Sequence, residues 1–161
     1  GGNRPICTGT LRCKETVQNL SDDIYREIIL DHYRNPRNKG KLPGADISTH
    51  DSNPLCGDEI DIHMKVQEGK IKDVKFEGRG CAISQASASM LTEMVIDKPL
   101  TNVKDIDKTV ILENIGLTNL GPARVKCALL ALKVMKLGMV NYLASNDPVS
   151  AKILEDDTKS L

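Results

Sequence analysis

Between residues 60 and 67 the chain alternates strictly: Ile60, Ile62, Met64 and Val66 are separated by Asp61, His63 and Lys65, with Gln67 following. A period of two in polarity is the signature of a strand with one buried and one wet face. Glu68-Gly69-Lys70 turns the chain, and Val74 and Phe76 resume the alternation on the return. Ile71 is out of phase with Val74, so a bulge or register adjustment is expected there. The result is an antiparallel hairpin. It constrains more than itself, because residues just before Ile60 and just after Phe76 must end as neighbours at one end of the sheet. Ile47 to Ser52 reads as a short edge strand.

Helical spacing occupies most of the remainder. Ser21 is a suitable N-cap, with Asp22 and Asp23 in the first turn, and Ile24, Ile28 and Tyr33, with Ile29 beside them, make an amphipathic face ending before Asn35-Pro36. After Gly80, Ile83, Ala86, Met90 and Met94 fall on one side until Pro99 stops the pattern. A short helix is expected from Thr109 to Ile115. A long one runs from Pro122 to about Leu143, with Val125, Leu129, Leu132, Met135 and Met139 at steps of three and four. Pro148 suits the first position of a further helical turn. Strands followed by helices predict an α+β fold, in which a small antiparallel three-stranded sheet is packed on one face by helices.

The chain of 161 residues is long enough for one core and short for two. Residues 1–19 show no period, start without Met, and read as a leader remnant or appended tail containing Cys7 and Cys13. Residues 20–145 form the domain and 146–161 a C-terminal helical extension. Lys plus Arg is 22 and Asp plus Glu is 22, so no charge excess attracts a polyanion. Phe76, Tyr25, Tyr33 and Tyr142 are the only aromatics, which argues against a base-stacking nucleic-acid module. No uninterrupted apolar run approaches the ~20 residues that span a bilayer. Five irregularly spaced cysteines suit a reducing compartment, and the expected location is the cytoplasm, or the mitochondrial matrix in a eukaryote.

Three of those cysteines lie at element junctions: Leu55-Cys56-Gly57-Asp58, Gly78-Arg79-Gly80-Cys81-Ala82 and Lys126-Cys127-Ala128. The hairpin brings residues 56–58 beside 78–81, and the helix from Pro122 need only dock its N-terminal end there. Cys56, Asp58, Cys81 and Cys127 would then offer four donors to one soft metal. The bland alternative is three packed, inert thiols. Against it, each sits beside Gly, Asp or Lys rather than inside an apolar run. No Cys-x-x-Cys pair is formed by these three, so a zinc ribbon or thioredoxin-like motif is not supported. His32, His50 and His63 are weaker candidates: His63 alternates to the wet face, and His32 is expected to serve helix packing or a local hydrogen bond.

At these residues the sequence resembles the IscU/SufU family of iron–sulfur cluster scaffolds, also found as the N-terminal domain of NifU. The resemblance runs from about Ile24 to Ala144. It rests on Asp31-His32-Tyr33-Arg34-Asn35-Pro36-Arg37-Asn38-Lys39-Gly40, Asn53-Pro54-Leu55-Cys56-Gly57-Asp58, the stretch from Phe76 to Met90, and Pro122-Ala123-Arg124-Val125-Lys126-Cys127. It implies that Cys56, Cys81 and Cys127 hold a transient [2Fe–2S] cluster, iron or zinc, with Asp58 as the labile ligand. It also implies a cysteine desulfurase that delivers persulfide sulfur, with Cys56 and Cys127 as candidate acceptors, and acceptor or carrier proteins that take the cluster. No nucleic acid or membrane partner is expected.

The chain is mixed in type. Lys126 stands where IscU-type members carry His, as in SufU-type proteins, and is expected to tune electrostatics or pair with Asp58. Yet Cys81 and Cys127 lie 46 positions apart, close to the length lacking the SufU insertion. Leu120-Gly121-Pro122-Ala123-Arg124 keeps only Leu, one Pro and a basic residue of the Leu-Pro-Pro-Val-Lys segment that an Hsp70 chaperone recognises, which weakens the case for that partner. Tyr25 matches a Tyr used in self-association, so a homodimer and simple helix packing are both open. Three readings follow: a non-enzymatic cluster scaffold, a SufU-type zinc-dependent sulfur acceptor that activates a desulfurase, and an interaction module with a structural zinc. The last is disfavoured by a carboxylate donor, since structural zinc usually takes Cys and His alone.

Overall fold

The computed structural model describes residues 11–54, 57–116, 121–146 and 152, with the backbone alone at 11–22 and 145–146. The elements are α1 (Leu11–Arg34), β1 (Ile47–Asn53), β2 (Asp58–Gln67), β3 (Lys70–Arg79), α2 (Ala82–Val95), α3 (Leu100–Lys104), α4 (Lys108–Ile115) and α5 (Pro122–Asn146). They build the expected α+β architecture: a three-stranded antiparallel sheet in the order β1-β2-β3, with helices on one face.

In the hairpin Ile60 pairs with Gly78, Ile62 with Phe76 and Met64 with Val74. The register then shifts: Lys65 faces Asp73 and Val66 faces Ile71, leaving Lys72 extra on β3. That one-residue bulge lets both Val74 and Ile71 reach the core, where each is fully buried. The outer edge of β3 is covered by loops. Gly40 N–H donates to Phe76 C=O (2.9 Å) and Phe76 N–H to Asn38 C=O (3.0 Å), while Ile71 N–H donates to Lys98 C=O (2.9 Å). An unpaired strand edge is a template for other chains, and these loops remove it.

Helix α5 lies over β1 and β2, and α2 over β3; α1 packs on α2, and α4 on α5. The core is aliphatic, from Ile60, Ile62, Met64 and Phe76 of the sheet to Leu91, Leu132, Met135 and Met139 of the helices. At Gly138 helix and strand approach so closely that a β-carbon would overlap Thr49 Oγ1. By length and apolar composition Pro122–Ala144 could cross a bilayer, a point the sequence reading understates, but most of this segment is buried inside the fold.

Several expectations need correction. Helix α1 begins at Leu11, not after Ser21, so the segment set aside as a tail carries helical backbone from residue 11; Leu, Arg, Lys, Glu and Gln there are good helix formers. Its inward side is Ile29 with half-buried Tyr25 and His32, whereas Ile24, Ile28 and Tyr33 are 56, 39 and 46 % exposed. The polar contacts of His32 with α2, described below, set that rotation. In α2 the buried set includes Ser84, Ser87, Ala88, Leu91 and Val95, while Ile83, Met90 and Met94 are half-buried. Small residues there permit close approach of α5, which helical periodicity alone does not reveal. Helix α3 is unforeseen. The helical turn expected after Pro148 lies outside the described residues except for Lys152.

Candidate metal centre

Asp58 opens β2 and Arg79 closes β3, so the hairpin places Asp58 next to the Gly80-Cys81 step leading into α2. Cys81 is the N-cap of α2, in extended conformation, and its thiol makes no capping bond. Its backbone N–H instead donates to Asp58 Oδ1 (2.8 Å), and its Sγ lies 3.6 Å from Asp58 Oδ2. Gly80 adopts φ +147°, a region essentially restricted to glycine, and a β-carbon there would overlap the Asp58 carboxylate. The turn from β3 into α2 is thus a backbone cradle around one carboxylate.

Cys127 reaches the same point from the second turn of α5. Ser87 of α2 fastens that turn: its hydroxyl donates to the C=O of Ala128 at 2.6 Å, one residue from the thiol. One ligand atom each from Asp58, Cys81 and Cys127 lies within 4.8 Å of the other two. Tetrahedral zinc with Zn–S near 2.3 Å sets sulfur atoms ~3.8 Å apart, a spacing within the 4.8 Å that bounds these donors. Two thiols and a carboxylate suit zinc and iron–sulfur chemistry, and the set is short of one donor for a closed tetrahedral site. Asp58 and Cys127 are buried, while Cys81 is half-exposed and forms the opening.

Cys56, the fourth expected donor, lies outside the described residues, as do Cys7 and Leu120. Of the residues flanking it, Gly57 donates its N–H to the Asn53 C=O at 2.8 Å. Lys126 is exposed beside Cys127. The histidines stand apart from the three clustered donors in their contacts. His63 Nδ1 is 3.0 Å from Ser48 Oγ and His50 Nδ1 is 2.7 Å from Asp61 Oδ1, both on the wet face of the sheet.

His32 belongs to a polar seam joining α1 to α2. Its Nδ1 is 2.8 Å from Ser89 Oγ, which also accepts from the N–H of Arg37 at 2.9 Å. Burial holds the His32 imidazole below its ordinary pKa, the Arg37 charge adds to the effect, and Glu93 and Asp31 oppose it. The Asp31 carboxyl is lowered, chiefly by its hydrogen bond from Arg37. Tyr25 packs its ring against Gly116, the left-handed C-cap of α4. Sequence reasoning gave His32 a part in helix packing or a hydrogen bond, but missed its partner Ser89 on α2 and the Cys81 N–H bond to Asp58. Both depend on contacts between residues far apart in the chain, though Ser84, Ser87 and Ser89 on an otherwise apolar helix are a visible hint of polar anchoring.

A three-stranded antiparallel sheet whose hairpin mouth presents a carboxylate and a thiol to a second thiol on a long helix defines a small α+β domain with a candidate metal site. The chain belongs to the NifU-like N-terminal domain family, whose pattern it matches over residues 24–148. It is 38 % identical over 142 residues to the zinc-dependent sulfurtransferase SufU of Bacillus subtilis, covering 78 % of this chain and 95 % of that protein. To the iron–sulfur cluster assembly scaffold protein IscU of Thermotoga maritima it is 39 % identical over 128 residues, covering 70 % of this chain and 90 % of that one. Among solved structures it superposes, with a TM-score of 0.60 and 33 % identity, on a proposed cluster assembly scaffold for the SUF system of Fervidobacterium islandicum. That match covers 74 % of this chain and 98 % of the other.

Proposed function

We propose that the chain is a scaffold on which [2Fe–2S] clusters are assembled from iron and sulfur and from which they pass to acceptor or carrier proteins. The observation that supports this most is the meeting of Asp58, Cys81 and Cys127, drawn from three separate stretches of chain, within 4.8 Å. Cys56 is the fourth ligand in this reading, and the cluster is cargo rather than a resident group. A carboxylate oxygen binds iron less firmly than a thiolate, so Asp58 is the ligand that yields when the cluster leaves. The half-exposed Cys81 provides the exit.

Sulfur comes from a cysteine desulfurase. The thiolate of Cys56, or that of Cys127 once its buried side chain is opened to the donor, attacks the outer sulfur of the donor persulfide; a new S–S bond forms as the donor's breaks, and the donor departs as a thiolate. Lys126, at the rim, supplies positive charge for the approaching anion. The site of action is the cytoplasm, or the mitochondrial matrix if the source is eukaryotic; relatives occur in bacteria and in mitochondria. A homodimer through α1 accords with the exposed Ile24, Ile28 and Tyr33.

A second reading is favoured by the likeness to SufU and by Lys126 before the third cysteine. Here Asp58 and the three thiols hold zinc as a resident ion, and the chain accepts sulfur and activates its desulfurase. The ion would supply charge that keeps the thiols deprotonated. Anaerobic purification distinguishes the two. Brown protein with iron and acid-labile sulfide supports the scaffold; colourless protein with one tight zinc that stimulates a desulfurase many-fold supports sulfur transfer.

A further inference from the structure

Beside the metal centre, α5 and the end of β1 enclose a cavity of about 240 Å³. Lys126 and Lys133 stand on its helix side with Leu129 and Leu130 between them, and Ser52 and Asn53 close the strand side. The cavity neighbours the centre through the backbone: Lys126 precedes Cys127 in the chain, and Asn53 pairs with Asp58 across β1 and β2. Its lining is amphipathic, two ammonium groups and a hydroxyl around an aliphatic floor. Lys133 is held in place by Asp51, with Nζ 3.3 Å from Oδ2, and one positive charge remains after that pairing.

We propose that this cavity binds a small carboxylate bearing a thiol, a molecule of the size of cysteine, and presents it next to the metal centre. The carboxylate sits between Lys126 and Lys133, and the short aliphatic chain lies on Leu129 and Leu130. A recess of this volume admits a few-carbon acid and is too small for a folded segment of protein. Charge-assisted hydrogen bonds to ammonium groups are the strong contacts available to a carboxylate. The inference rests on the proposed function for its purpose, since a thiol held there is a sulfur carrier or an added ligand only if the centre holds metal or persulfide. Binding of the carboxylate itself does not depend on that function.

The test is an NMR titration of the full-length, zinc-loaded chain with propionate, which has the carboxylate and no thiol, and with 3-mercaptopropionate. Both should shift the amides of Ser52, Asn53, Leu129 and Leu130. In Lys133→Gln the affinity for both should fall about tenfold or more, as loss of a charge-assisted bond implies, with zinc content unchanged. Absence of shifts with propionate, or equal affinity in Lys133→Gln, overturns the proposal. So does a response to 3-mercaptopropionate confined to Cys81 and Cys127, which marks thiol binding to the metal alone. Two controls separate the two ideas: propionate shifts that persist without zinc belong to the cavity alone, and a chain that takes up no zinc when it is supplied yet binds propionate refutes the centre and retains the cavity.

Discussion

The backbone N–H of Cys81 donates to the carboxylate of Asp58 at 2.8 Å, so a candidate ligand on one strand is positioned by the main chain of another candidate ligand 23 residues away. Asp58 therefore anchors the turn that presents the second thiol, and in the proposed reading it is also a donor to metal. Asp58→Ala removes one donor and leaves that N–H without its carboxylate. Zinc affinity is expected to fall on the order of 10–100-fold, and transfer of a bound cluster to an acceptor should slow. Competition with a chromophoric chelator reads the first effect. Unchanged affinity and cluster lifetime would remove Asp58 from the ligand set.

Gly80 and Gly44 both have positive φ, yet only at Gly80 would a β-carbon overlap the Asp58 carboxylate; nothing lies within 4 Å at Gly44. Alanine should destabilise the fold at either position by ~1–3 kcal/mol. Only Gly80→Ala should also weaken zinc binding, by about tenfold or more if Asp58 is displaced. Equal zinc affinities in the two variants would show that the cradle does not hold the carboxylate for metal.

The Ser87 hydroxyl meets the buried C=O of Ala128, tying α2 to the turn of α5 that carries Cys127. Ser87→Ala removes this cross-helix bond while the carbonyl keeps its place in the α5 ladder, at a cost of about 0.5–1.5 kcal/mol. Denaturant melts measure the stability. Alkylation of Cys127 in metal-free protein measures position: the thiol is 1 % exposed, and its reaction should quicken in the variant.

His32 has a folded-state pKa depressed chiefly by burial, below its ordinary 6.5. The unfolded chain therefore takes up a proton at higher pH than the folded one. Stability attached to this residue is present above pH 6.5 and is lost as pH falls through the depressed value. The melting temperature of the wild type should drop more between pH 7 and pH 5 than that of His32→Gln, which has no titrating ring. Parallel curves would mean the seam is indifferent to the imidazole charge.

If zinc is resident, its removal should act on folding as well as on chemistry. At free zinc 100-fold above its dissociation constant, binding adds ~2.7 kcal/mol, which for a chain of this size is about 5–10 °C in melting temperature. Addition of a chelator should reverse that gain in the wild type and have little effect in Cys127→Ser.

The hairpin, its bulge, α4 and α5 were legible because each is written in local periodicity and punctuation. Ile71 out of phase with Val74 required an extra residue, and the register supplies it at Lys72. The convergence of Asp58, Cys81 and Cys127 was also legible, because an antiparallel pair forces its two open ends together. The orientation of α1 was not. Ile24, Ile28 and Tyr33 share a helical face, but the bonds of His32 and Arg37 to Ser89 turn Ile29 inward instead, and such pairings between distant residues leave no trace in spacing. The start of α1 was missed for a related reason: Ser21 has the chemistry of a cap, but the residues before it favour helix as well.

The most direct test of the account is X-ray absorption at the zinc edge of the full chain loaded with one zinc, alongside Asp58→Ala. The account predicts three sulfur neighbours at ~2.3 Å and one oxygen at ~2.0–2.2 Å, with that oxygen lost or replaced in the variant. A shell of nitrogen and oxygen alone, or identical spectra for the two proteins, would contradict it.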